Sequence, residues 1–250
     1  MSDILTHSTL ASGLVSYWKM EEASGTRVDS HGSNDLSDNN TVGTAAGIID
    51  NGADFERSNS EYLSITDAAQ TGLNPSDFSV SAWVKFETSN VFAGLVSKRG
   101  VDEEYSIYFN NTNEIVCRIS ANAAGSALSV SESNPISNAT GVWYHFVITV
   151  DSSLGGAGME FYENASSLGR SRIASSFATS IYNGGSVFRI GAMANPANFL
   201  DAVVDEVGFW NRVLTSSEIS DLYNSGAGLP YDGGGGPGPT AFTPKVTMIN

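Results

Sequence analysis

Apolar positions along the chain come in short runs of period two or in brief continuous stretches, and clusters of Gly, Asn, Asp and Ser separate them. Period two marks a half-buried strand, because successive side chains on an extended backbone point to opposite faces. Such runs fall at residues 15–20, 78–86, 105–109, 115–119, 142–150 and 187–190. In the second of them Phe78, Val80, Ala82, Val84 and Phe86 alternate with Ser79, Ser81, Trp83 and Lys85. The runs are rich in β-branched and aromatic residues, which pack well on a pleated surface. Between runs, Asp50-Asn51-Gly52, Leu154-Gly155-Gly156 and Asn183-Gly184-Gly185 supply residues that tolerate the positive φ of tight connections. The pattern predicts an all-β, two-sheet antiparallel sandwich and excludes a helical bundle.

One short helix is predicted late in the chain. Thr215 is placed to cap it, Glu218 stands three residues on as a capping box requires, Ile219, Leu222 and Tyr223 share a face, and Gly226 ends it. After Gly228 a Gly- and Pro-rich stretch reads as a linker, followed by renewed apolar content from Thr240. The expected organisation is therefore an arm at 1–12, one domain at 13–228, and a linker with a docking tail at 229–250. At 250 residues and 41% hydrophobic content the chain is long enough for one substantial core.

Charge narrows the partners. With 27 acidic against 12 basic residues the formal net charge is −15, so nucleic acid and anionic membrane are unfavourable partners. Loop carboxylates do suit hard cations such as calcium, and they also serve simple solubility. The single cysteine, Cys117, allows no internal disulfide and no thiolate metal cluster, and is read as a small core residue. The first twelve residues lack the pattern of a secretory leader, and no run is long and apolar enough for a membrane-spanning helix. The expectation is a soluble chain not exported by its own leader.

Several segments, in order, resemble the laminin G-like domains of the concanavalin A-like lectin/glucanase superfamily. They are Gly13 to Glu22 with Gly25 and Asp29-Ser30-His31-Gly32, Asn51 to Phe55 with Tyr62 to Ile65, Phe78 to Val84, Gly141 to His145, and Asp205 to Leu214 followed by Glu218-Ile219. The resemblance runs from about Gly13 to Tyr223 and implies a jelly roll. Two places depart from the pattern: Phe161-Tyr162-Glu163-Asn164, where relatives often carry an Asp-Gly hairpin, and Asp201 to Val204, where a glycine usually precedes the strand.

Within that superfold, hydrolases place carboxylates on alternate strand positions so that two face one cleft. Here Glu21-Glu22, Glu103-Glu104 and Asp205-Glu206 are adjacent pairs, whose members point to opposite faces of a strand. His7, His31 and His145 have no nucleophile elbow beside them. No catalytic residue is assigned. The resemblance implies that calcium could be held by loop carboxylates, with Asp29, Asp205 and Glu206 as candidates; Asp29 reads equally well as a turn residue and the other two as pairing carboxylates. For a sugar, Phe92 and Phe199 are candidate stacking platforms, with Asn90 and Asn198 beside them for hydroxyls, although either ring could instead plug the core beneath a loop. Trp18, Trp83, Trp143 and Trp210 sit in strand patterns and are expected in the core. The reading is a non-catalytic structural or binding protein, an outward-facing bacteriophage virion component of decoration or tail-fibre type, its arms docked on other subunits. The alternative is a carbohydrate-binding adhesion module of a bacterial surface or secreted protein. Cell-surface glycans are partners in either case.

Overall fold

The computed structural model describes residues 3–194 and 197–231. Sixteen strands follow one another: β1 (Leu14–Trp18), β2 (Ser37–Asn39), β3 (Gly43–Ala46), β4 (Asn51–Phe55), β5 (Tyr62–Ile65), β6 (Phe78–Phe86), β7 (Ala93–Arg99) and β8 (Glu103–Phe109). Then come β9 (Ile115–Ser120), β10 (Leu128–Ser133), β11 (Trp143–Val150), β12 (Met159–Glu163), β13 (Ser166–Ser167), β14 (Arg170–Ser176), β15 (Phe188–Ile190) and β16 (Ala202–Trp210). They form two eight-stranded antiparallel sheets. The first runs β13-β12-β11-β6-β16-β4-β3 with β1 also paired to β16, and the second runs β14-β10-β9-β8-β7-β15-β5-β2. The non-sequential strand order is that of a jelly-roll sandwich.

The period-two residues of β6 make the layers. Phe78, Val80, Ala82, Val84 and Phe86 enter the core between the sheets, where Phe78 stacks on Phe209 of β16 at 5.5 Å and Phe86 meets Phe109 of β8 at 5.0 Å. Cys117 is fully buried in the same core. The opposite face of the first sheet carries a second apolar cluster, in which Ile4, Leu10, Ile219, Leu222, Leu229 and Tyr231 cover Tyr17, Val147 and Trp210. The segment expected to be an arm docked on other subunits packs on its own domain: Ile4 N–H donates to Pro230 O at 3.0 Å, and Trp210 Nε1 donates to Leu10 O at 2.8 Å. Leu229 to Tyr231, read as the start of a linker, belong to the same cover; residues 232–250 lie outside the described residues.

The helix α1 (Ser216–Tyr223) starts as read from the sequence. Thr215 caps it and Glu218 completes the capping box. It stops earlier than Gly226, because Asn224 takes the left-handed conformation with φ 45° and turns the chain out of the helix. Where relatives carry Asp-Gly, Asn164 and Ala165 both take positive φ (50° and 63°) and close the two-residue hairpin between β12 and β13. That is the geometry of the type I′ turn that hairpin twist favours. Of the four tryptophans, Trp18, Trp83 and Trp210 are buried as expected, whereas Trp143 at the start of β11 is partly exposed, with Lys85 Nζ 5.0 Å from its ring centre. Among the described residues no helix is long and apolar enough to cross a membrane.

Candidate functional site

Loops at one end of the sandwich gather the four residues picked out for sugar binding. Phe92 ends the loop between β6 and β7 and is 38% exposed, its ring 4.8 Å from that of Tyr108 on β8. Phe199, in the loop leading into β16, is half-buried with its ring 6.1 Å from Tyr62 on β5. Arg57, just beyond β4, ties the two loops together: Nη2 donates to Phe92 O at 2.6 Å and Nε to Phe199 O at 2.9 Å. Its own backbone N–H donates to Asp201 Oδ1 at 3.0 Å. Asn90 and Asn198 are exposed with positive φ (59° and 51°), a conformation asparagine tolerates better than most residues. Asn198 O accepts from Gly94 N at 2.9 Å, which pins that loop to the first residues of β7.

Asn90 also belongs to a small crevice lined by Asn110, Asn113 and Asn138 and floored by Phe86 and Phe109. Asn138 Nδ2 donates to Asn113 Oδ1 at 2.7 Å and to Asn90 Oδ1 at 3.2 Å. Side-chain amides beside an aromatic face form the chemistry of a sugar subsite, with donors and acceptors for hydroxyls next to a surface for the apolar face of a ring. Of the four residues picked from sequence for a sugar, Asn90 lines the crevice and Phe92 adjoins it, while Phe199 and Asn198 lie outside it. Arg57, Asn110, Asn113 and Asn138 were not picked for this role, because nothing local in the chain says that segments 57, 110, 113 and 138 meet segment 92.

The three residues selected for calcium do not converge. Asp29 spends its oxygens on backbone amides: Oδ1 accepts from Tyr17, His31 and Gly32 at 3.0, 3.1 and 2.9 Å, and Oδ2 accepts from Asn34 at 2.9 Å. It is a turn-building residue, the other reading open from sequence. Asp205 is fully buried and accepts from Ile48 and Ile49 N–H at 2.8 and 3.1 Å through Oδ2 and from Glu206 N–H at 2.8 Å through Oδ1. Glu206 sits on a β-bulge with φ 49°, so that both neighbours are buried where a regular strand would point them apart. Tyr17 Oη donates to its Oε2 at 2.5 Å, while Oε1 is buried without a partner. Burial raises the Asp205 carboxyl to about 8, and burial together with Asp205 pushes Glu206 well up.

A different acidic group lies at the Phe92 end. Asp54, Glu56 and Glu87 bring one carboxylate oxygen each to within 4.8 Å of one another, and among the described residues this is the group of three that could hold a metal ion. Burial and the nearby charges of Asp201 and Asp54 raise both Glu56 and Glu87, Glu61 adding to the first and Glu56 to the second, and Asp54 Oδ1 is buried without a hydrogen-bond partner. Mutual repulsion with an unsatisfied oxygen is what a hard cation would relieve, so the donor set fits calcium chemistry.

His145 is sealed in the first sheet beneath α1, its ring 5.0 Å from Trp83 and 6.1 Å from Tyr223, which stack on each other at 5.7 Å. Burial pushes it down to about 3, its Nε2 meets Ser81 Oγ at 2.8 Å, and its Nδ1 has no partner. A neutral, buried histidine without an orienting carboxylate lacks the third member that makes a serine–histidine pair nucleophilic.

Two sheets in jelly-roll order with a polar and aromatic rim define a lectin-like sandwich domain. Residues 57–220 match the profile of the concanavalin A-like lectin/glucanases superfamily, and the chain belongs to that family. No curated protein matches it in sequence. Among solved structures it is similar to the binding domain of botulinum neurotoxin DC in complex with SialylT (13% identity, TM-score 0.62, 86% of this chain and 52% of that one). It is also similar to Trypanosoma rangeli sialidase (18%, 0.59, 88% and 34%). A third is domain 4 of AbnA, a GH43 extracellular arabinanase from Geobacillus stearothermophilus, in complex with arabinotriose (18%, 0.56, 84% and 98%). At these identities the likeness is one of fold. The chain spans about half the toxin binding domain and a third of the sialidase, but nearly the whole arabinanase domain.

Proposed function

We propose that the chain is a non-catalytic glycan-binding domain, displayed on the outside of a larger assembly such as a bacteriophage virion or a bacterial cell surface. The observation that carries the glycan reading is the Phe92 rim, where a half-exposed ring adjoins an asparagine-lined crevice and Arg57 fixes the loop that bears it. The family and the arabinotriose and SialylT complexes of structurally similar domains support it. A binding rather than catalytic role is favoured by burial: His145 with Ser81, and Asp205 with Glu206, lie beyond reach of a polymer substrate. Calcium belongs to this proposal as a rim ion at Asp54, Glu56 and Glu87, stiffening the segment that carries Arg57. Display on a virion rests on the sequence reading, and proteomics of purified particles against washed cells tests that part.

The test of the site is a glycan array followed by titration calorimetry on the best neutral oligosaccharide, with Phe92→Ala and Asn138→Ala. Losing a stacking ring or a paired amide costs on the order of 1–2 kcal/mol, about tenfold in Kd. Unchanged affinity in both variants would remove the rim from consideration. For calcium, a rise in Tm on adding the ion, absent in Asp54→Asn, is expected; equal melting with calcium and with chelator sinks the ion proposal.

A further inference from the structure

On the outward face of the second sheet one arginine, Arg189, carries a charge that no acid among the described residues balances. Register places Arg189, Ser97, Ser106 and Arg118 in one row across β15, β7, β8 and β9, each directly opposite the next. Their neighbours Phe188, Ile190, Ile107 and Cys117 fill the core, so the row faces outward. Arg189 is only 8% exposed, yet among the described residues it makes no ion pair; Nη1 donates to the carbonyls of Arg99 and Val187 at 2.9 and 3.2 Å. Its Nε is buried without a partner, so the Nε–Nη2 edge, the edge that grips a carboxylate with two parallel bonds, is unused. A guanidinium this deep without a counter-charge is costly.

The rest of the row repeats the deficit. Ser97 Oγ, Ser106 Oγ and Arg118 Nε are also buried and unpartnered, so four of the eleven such atoms among the described residues fall in this single row. Beside it Arg99 and Arg118 share one carboxylate oxygen, Glu103 Oε2, at 2.6 and 2.8 Å. Arg99 and Arg118 thus divide one carboxylate oxygen between them, while Arg189 has no acid of its own among the described residues. Flanking the row toward the rim are the half-buried Tyr62, two residues from the Ser64 that pairs with Arg189, and Tyr108, two residues from Ser106. These are the tyrosines against which Phe199 and Phe92 lean, so the charged row lies directly below the aromatic rim. The span from β5 to β8 is three strand spacings, about 14 Å, enough for a sugar ring with its substituents.

We infer that Arg189, with Arg118 and Arg99 beside it, forms a subsite for the carboxylate of an acidic sugar, which makes the ligand a carboxylated glycan. The inference rests on the glycan-binding reading and names its ligand class. Binding gives the uncompensated guanidinium of Arg189 a counter-charge while Tyr62 and Tyr108 bracket the ring; Ser97 and Ser106, fully buried, lie beneath it.

The test is calorimetry of the intact chain with N-acetylneuraminic acid and glucuronic acid against galactose and glucose, at low and high salt. Arg189→Met and Arg189→Lys are compared, with circular dichroism and Tm confirming their folding. Expected are binding of the acidic sugars, weakening with salt, and a loss of about tenfold or more in both variants, since lysine keeps the charge but not the two-pronged edge. Acidic sugars bound equally by wild type and Arg189→Met would overturn the site, as would neutral sugars bound as tightly as acidic ones while Phe92→Ala still abolishes binding; in that case the glycan reading stands and this inference falls. Binding of none of the four sugars, alongside a blank glycan array, would overturn both. Should Arg189→Met fail to fold, Arg189→Lys and Arg118→Ala decide the matter on the same criteria.

Discussion

Replacing Glu218 by glutamine should loosen the whole outer cover of the first sheet, and the effect should vanish in acid. The side chain is 3% exposed and accepts from both ends of one guanidinium: Oε1 from Arg212 Nη2 at 2.6 Å, and Oε2 from Arg212 Nη1 at 2.9 Å and Thr215 N–H at 2.8 Å. Arg212 in turn donates to the carbonyls of Ser12 and Thr9 at 2.7 and 2.9 Å, so one carboxylate fastens α1 to the N-terminal segment. Burial by itself would raise this carboxyl, but the bonds from Arg212 and Thr215 outweigh it and bring it from 4.5 down to about 2. At about 1.4 kcal/mol for each pH unit the ceiling is roughly 3.4 kcal/mol, and screening around the partly exposed Arg212 reduces this to roughly 2 kcal/mol. The folded value is depressed, so the stabilisation is present above about 4.5 and is lost as pH falls toward about 2. Denaturant titrations of wild type and Glu218→Gln across that range should give a gap of roughly 2 kcal/mol at neutral pH, equivalent to about 4–8 °C in Tm, closing in acid. A gap that stays constant with pH would mean that glutamine disturbs packing and that the carboxylate charge contributes nothing.

Two further outcomes follow from other parts of the molecule. Asp205 carries a folded value raised from 3.8 to about 8, so its contribution is intact below the ordinary carboxylate range and is lost as pH rises toward about 8; Tm should decline over that window, and Asp205→Asn should flatten the slope whatever it does to the baseline. A slope identical to wild type would show that the buried acid does not titrate there. Gly94→Ala should cost about 3 kcal/mol or more, because a Cβ there would lie 2.4 Å from the backbone carbon of Ala192 and 2.6 Å from the nitrogen of Met193, and neither can swing aside; an unchanged Tm would contradict it.

How the site divides between sequence and structure is clear in particular residues. Phe92, Asn90, Phe199 and Asn198 were legible as loop residues, since turn-forming asparagines beside an aromatic announce themselves locally. Arg57 was not legible, because its meaning depends on carbonyls 35 and 142 residues away. Asp29 carried two readings from sequence, and the four amides it accepts select the turn. The Asp205-Glu206 pair was read as two strand neighbours facing apart, and the bulge at Glu206 buries both.

The sequence by itself determined the layers. Period-two runs such as that of β6 dictate which side chains enter the core, and Thr215 with Glu218 dictates where the helix starts, because both are local consequences of backbone geometry. Tertiary structure alone decided what crosses between segments. The N-terminal residues became a cover because the exposed face of the first sheet offers Tyr17, Val147 and Trp210, and burying that area outweighs leaving the segment free. The acidic trio of Asp54, Glu56 and Glu87 and the row from Arg189 to Arg118 exist only through strand register, which sequence periodicity constrains to the correct face but not to a particular neighbour.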